Sequence, residues 1–132
     1  MNNPKDMLRT LYRNSPSAVI VTNIERELVA MNPAAERLFG YAEADVTASS
    51  AQMLYADPRD FDRLGETHFN RGSSDDSISY TARYRAKTGR VFDGETIASP
   101  IISSTGERTG LVCIVREVTA DLALHAKLEA SD

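Results

Sequence analysis

Leu28-Val29-Ala30-Met31-Asn32-Pro33-Ala34-Ala35-Glu36-Arg37-Leu38-Phe39-Gly40-Tyr41 is the stretch that decides the fold. Its first four residues are apolar and suit a short strand. Asn32 is a strong helix N-cap, because its side-chain oxygen accepts from a free backbone N–H. Pro33 follows at the first helical position, where a missing N–H costs nothing and φ is already helical. Ala35, Leu38 and Phe39 then give a short helix one small apolar face, and Gly40 ends it.

Working outward, 132 residues suit one domain with one core. A hydrophobic fraction of 42% is enough for a packed globule, and a net charge of −4 argues against nucleic acid as the main partner, since phosphate binding needs a basic surface. No apolar run approaches a bilayer span, so no direct membrane contact is expected. The first residues, Met1-Asn2-Asn3-Pro4-Lys5-Asp6, lack the profile of a signal peptide. Cys113 is the one cysteine, which excludes an internal disulfide and any multi-cysteine metal site. A cytoplasmic location is the resulting expectation, although a domain cut from a membrane receptor would look the same.

Upstream, Met7, Leu8, Leu11 and Tyr12 fall on one side of a short helix over 4–13, and Asn14-Ser15-Pro16-Ser17 breaks it. Ala18–Thr22 is rich in β-formers, and Asn23–Glu27 is a polar turn into the strand Leu28–Met31. Downstream, helices dominate from Pro33 to about Arg71. Asp57-Pro58 repeats the cap-then-proline signal. Phe61, Leu64, Gly65, His68 and Phe69 share one face of the helix behind it, which ends at Gly72. Ile78, Tyr80, Ala82 and Tyr84 alternate with Ser79, Thr81, Arg83 and Arg85, the pattern of a strand wet on one face. Lys87-Thr88-Gly89 and Ser104-Thr105-Gly106-Glu107 are turns, and Val91–Ile101 and Gly110–Val118 complete a meander. The order is β-β-α-α-α-β-β-β.

The Leu28–Tyr41 stretch resembles the opening half of a PAS sensory domain. Arg116-Glu117-Val118-Thr119, closing an apolar strand ahead of a last helix, resembles that domain's ending. The resemblance covers roughly residues 15–121. It implies an α+β fold: a five-stranded antiparallel sheet with helices on one face, a cavity between them, and flanking N- and C-terminal helices. The division expected is an N-terminal flanking helix at 1–14, the sensory domain at 15–119 and a C-terminal linker helix at 120–132. The family usually sits inside larger, often bacterial, signalling proteins such as two-component histidine kinases, cyclic-dinucleotide enzymes, chemoreceptors and transcription regulators.

The resemblance also nominates residues. Cys113 shares a strand face with Leu111 and Val115, which the family pattern turns towards the cavity. A thiol there can sense oxidants or touch a ligand; the plainer reading is a small buried hydrophobe. His68, on the apolar face of the long helix, could ligate haem iron. Haem-binding members carry their histidine earlier in this helix, where Phe61 stands, so haem is disfavoured. Flavin-adduct members carry a reactive cysteine in the helical middle, and the matching stretch Ala48-Ser49-Ser50-Ala51-Gln52-Met53-Leu54 has none. Flavin adduct chemistry is therefore not expected. Tyr80 and Tyr84 can orient a polar ligand or only fill the core. Ala82, Gly94, Thr96 and Ala98 align inward beside them by the family's register. Asp93 and Glu95 lie on the opposite face and read as an exposed polar surface. Thr119 can cap the last helix while Glu117 ties the strand end to that helix or to nearby basic groups, which makes this junction the expected signal relay. The family's usual acid here is Asp; Glu117 is one methylene longer. Leu8 and Leu11, with Leu122 and Leu128, are apolar stripes on helices too short to stand alone, so they are expected to dimerise or link.

Three functions fit. The leading one is a sensory module without catalysis, which binds a small ligand or responds to redox state and relays the change through its C-terminal helix to an effector. The second is a ligand-free dimerisation or interaction module of the same fold. The third is a small cone-shaped α+β enzyme using a tyrosine and a carboxylate, for which the inward register offers almost no acid before Glu117.

Overall fold

The structure is a computed structural model and describes residues 3–68 and 76–118. Thr119, Leu122, Leu128 and the expected helix over 120–132 lie outside the described residues, as does the side chain of His68.

The chain runs α1 (Pro4–Asn14), β1 (Ala18–Asn23), β2 (Leu28–Met31), α2 (Pro33–Phe39), α3 (Glu43–Val46), a 3₁₀ turn (Ala51–Leu54), α4 (Pro58–His68), β3 (Ile78–Arg85), β4 (Val91–Ile102) and β5 (Arg108–Val118). The strands form one antiparallel sheet in the order β2-β1-β5-β4-β3. The first strand therefore lies beside the last, with Ile20 opposite Cys113 and Cys113 opposite Ala98. The meander β3-β4-β5 is joined by tight turns, as the sequence pattern requires.

The capping signals act where they were read. Asn32 Oδ1 accepts from Ala35 N–H at 2.9 Å and starts α2, and Gly40, in the left-handed region at φ 80°, closes it by donating to the Glu36 carbonyl at 2.8 Å. Asn32 does more than cap. Completely buried, it also accepts from Val19 N–H at 2.9 Å and donates to the carbonyls of Tyr12 at 2.9 Å and Ser17 at 3.1 Å. One amide thus ties α1, β1 and α2 together. Asp57 caps α4 by accepting from Arg59 N–H at 2.9 Å.

Alternation sorts the sheet into two faces. Ala18, Ile20, Ala82, Tyr84, Phe92, Thr96, Ala98, Leu111 and Val115 are buried under the helices. Phe39 of α2 is the keystone: it is fully buried, edge-on to Tyr84 at 5.7 Å and tilted on Phe92 at 5.6 Å. On the outer face Asp93 and Glu95 pair across the strands with Arg83 at 3.4 Å and Arg116 at 2.9 Å. α1 buries no residue, and Met7, Leu8 and Leu11 are 52–67% exposed.

Candidate functional site

A cavity of about 30 Å³ lies between the inner face of β1, β3 and β5 and the segment from the 3₁₀ turn to Tyr55. Its walls are mostly aliphatic and aromatic, and Thr22, Arg26, Tyr55, Tyr80, Tyr84 and Cys113 supply the polar groups.

Two tyrosines come from β3, where alternation puts Tyr80 and Tyr84 on the inner face. Gly94 makes room for Tyr84: a Cβ there would sit 2.6 Å from its ring. The Tyr84 hydroxyl lies 2.5 Å from Thr96 Oγ1, and Thr96 in turn donates to the Gly94 carbonyl at 3.3 Å. Tyr55 follows the 3₁₀ turn and is held to β3 by the Ala56 N–H bond to the Arg83 carbonyl at 2.9 Å. Its hydroxyl is 3.4 Å from that of Tyr80, and its ring lies 5.0 Å from Tyr84.

Arg26 enters from the β1–β2 turn. Asn23 shapes that turn by accepting from the backbone N–H groups of Glu25 and Glu27, and Arg26 itself is left-handed at φ 63°. Its guanidinium donates to the Phe61 carbonyl at 2.7 Å and lies 3.6 Å above the Phe61 ring. Thr22 completes the wall from β1, beside a register shift between Val21 and Thr22 in the β1–β2 pairing. Its hydroxyl is buried and has no hydrogen-bond partner among the described residues.

The electrostatics follow from burial. Desolvation, the largest effect in each case, raises the phenols of Tyr55, Tyr80 and Tyr84 above their usual range and pushes the Cys113 thiol up to about 11. All four groups are neutral near pH 7. Among the described residues no carboxylate lines the cavity.

Of the residues nominated from the sequence, Tyr80, Tyr84 and Cys113 meet at this cavity. Thr96 and Ala98 are buried on the same sheet face without lining it; Thr96 stands behind Tyr84 as its hydrogen-bond partner. Glu117 is exposed and accepts from Arg90 at 2.8 Å, a basic group of the β3–β4 turn. The wall also contains Thr22, Arg26 and Tyr55, which sequence reading did not single out. Thr22 carried a signal: it is a polar residue on the inward row of β1, two positions beyond Ile20. Arg26 and Tyr55 carried none, because turn geometry and helix placement bring them in.

A family model described as the PAS fold matches residues 6–118. The sensor protein TdiS of Thauera aromatica is 25% identical over 130 residues, covering 98% of this chain but 23% of its own length. The PAS domain of a Colwellia psychrerythraea protein superposes with a TM-score of 0.81 at 19% identity, covering 89% of this chain and 98% of that one. An RNA-binding light-oxygen-voltage receptor gives 0.77 at 26% identity, over 96% of this chain and 36% of its own. The PAS domain of a LuxR-family transcriptional regulator from Burkholderia thailandensis, solved with ethanol, gives 0.67 at 18% identity, over 85% and 97% of the two chains. With the sheet order, the capped α2 and the family match over nearly all of its described residues in agreement, the chain belongs to the PAS family.

Proposed function

We propose that this chain is the sensory module of a larger signalling protein, and that it senses a small molecule held in the cavity between sheet and helices. The observation that carries this reading is the small, mostly apolar cavity whose walls include the Tyr55 and Tyr80 hydroxyl pair. Apolar walls with a few placed polar groups are the usual make-up of a ligand site. Family membership and the likeness to a sensor protein support the signalling role, and the Burkholderia thailandensis PAS domain solved in complex with ethanol supports a small ligand.

The redox branch is the weaker one. A reactive cysteine works as the thiolate, and burial pushes Cys113 up to about 11, away from that form. The output runs along β5, whose Cys113 touches the cavity and whose end is Glu117, and continues through Thr119 into the C-terminal helix. Leu8 and Leu11, exposed on α1, pair two copies together with Leu122 and Leu128. The chain spans 23% of the length of TdiS, and an effector such as a histidine kinase or cyclic-dinucleotide enzyme occupies the remainder of the parent protein.

Protein-observed NMR with a panel of compounds of a few non-hydrogen atoms tests the reading. Binders should shift the amides of Ile20, Tyr80 and Cys113, and the shifts should extend along β5 to Glu117. If no compound moves them, the small cavity is only a packing defect, and the ligand-free dimerisation module replaces this proposal.

A further inference from the structure

Two side-chain hydroxyls among the described residues, Tyr12 and Thr22, are buried without a hydrogen-bond partner, and Thr22 is the one beside the cavity. It sits on the inward row of β1 with Ala18 and Ile20 and is 5% exposed. Valine has the same shape and would fill the position without a polar atom. Instead a hydroxyl is buried there with no partner among the described residues, an arrangement that costs free energy in the folded state. Thr22 is one of the residues that line the cavity, and the adjacent register shift in the β1–β2 pairing is the kind of irregularity that re-aims a side chain beside a site.

We propose that the cavity takes a small neutral molecule of roughly two to four non-hydrogen atoms with one hydroxyl or carbonyl oxygen, and that Thr22 Oγ1 is the group that recognises that oxygen. The inference rests on the ligand-sensing reading above. Size follows from the volume of about 30 Å³. A neutral molecule makes the least demand on these walls: among the described residues no carboxylate lines them to receive a cation, and the Arg26 guanidinium, which keeps its positive charge, donates to the Phe61 carbonyl and lies over the Phe61 ring. A second polar contact is at hand in the Tyr55–Tyr80 hydroxyl pair. At 3.4 Å this pair is long for an O–H···O bond and easily exchanged for a ligand oxygen.

The test is an NMR titration of the full chain with ethanol, xenon and acetate, in the parent protein and in Thr22→Val. Ethanol should shift the amides of Thr22, Leu111 and Cys113. Thr22→Val should weaken ethanol by about three- to tenfold, leave xenon unchanged and raise the melting temperature, while Thr22→Ser keeps the ethanol response. If Thr22→Val does not fold, Thr22→Ala removes the hydroxyl in its place. Undiminished ethanol binding without the hydroxyl overturns the role of Thr22 and leaves the sensing reading intact. Acetate binding more tightly than ethanol overturns the neutral class. If neither ethanol nor xenon moves these amides, the sensing reading falls and this inference with it.

Discussion

Asn32 uses every hydrogen-bonding position of its amide, and its neighbours depend on it. Two acceptor bonds go to Val19 and Ala35 N–H, and two donor bonds to the carbonyls of Tyr12 and Ser17. Replacing it with alanine removes a cap worth about 1 kcal/mol and strands buried partners at about 1–3 kcal/mol, so Asn32→Ala should cost about 2–4 kcal/mol in urea unfolding. A loss no larger than that of a cap alone would show that the Tyr12 and Ser17 contacts add nothing. The buried thiol and phenols make a second prediction, in pH. Cys113 is raised from 9.0 to about 11 and Tyr12 from 10.0 to about 12, and Tyr80 and Tyr84 are raised from 10.0 as well, all chiefly by desolvation. The unfolded chain then releases these protons before the folded one does, so their contribution is intact below pH 9 and falls as pH rises through 9 and 10. Urea midpoints measured from pH 7 to 11 should decline above 9, and Cys113→Val should remove the earliest part of the decline.

At the scale of elements, α4 is fastened by a contact from a turn distant in the sequence. Arg26, in the β1–β2 turn, reaches the Phe61 carbonyl and ring, and Gly65, one turn further along α4, leaves the space its guanidinium fills. A Cβ on Gly65 would stand 2.7 Å from Arg26 Nη1. Gly65→Ala improves helix propensity, and because its Cβ meets only the far end of a flexible side chain, the change swings the guanidinium off the Phe61 carbonyl and ring and costs that latch, about 1 kcal/mol, rather than a core clash. Hydrogen exchange should quicken over residues 58–66 while β1 and β5 keep their protection. Slower exchange in α4 would mean that propensity outweighs the latch. The β3–β4 turn offers a contrast: Arg90 and Glu117 pair at 2.8 Å, but both are well exposed, and such a pair is worth about 1 kcal/mol or less. Glu117→Gln should leave the melting temperature nearly unchanged, which makes it a clean probe of relay in the parent protein.

For the molecule as a whole, α1 is lightly attached. None of its residues is fully buried, Tyr12 joins it to the domain through its carbonyl and through a half-buried phenol near Glu36 and Glu43, and Met7, Leu8 and Leu11 stay exposed along one side. If this stripe pairs two copies, deleting residues 1–14 should shift sedimentation from dimer towards monomer while the far-UV signature of the sheet persists. A full chain that sediments as a monomer at high concentration removes dimerisation from the proposal. The sheet can tolerate the deletion because its first and last strands close on each other, with β1 in register against β5 from Ala18–Val115 to Asn23–Gly110.

By itself the sequence determined the elements: caps at Asn32 and Asp57, a stop at Gly40, and period-two strands across Tyr80–Tyr84 and Leu111–Val115 are local signals, written within a few residues of where they act. The same periodicity grouped Tyr80 with Tyr84 and Cys113 with Leu111 and Val115, and the family resemblance turned those faces inward. The tertiary structure decided which inward residues share a wall. Thr96 and Ala98 have the right alternation but sit behind Tyr84 or beyond the cavity, whereas Arg26 and Tyr55 arrive from a left-handed turn and a 3₁₀ turn that carry no periodic signal. Alternation reports which face a side chain occupies. Which neighbours it meets there depends on strand order and on where helices cross, and those follow from contacts between residues distant in the chain, such as Ile20 with Cys113 and Arg26 with Phe61.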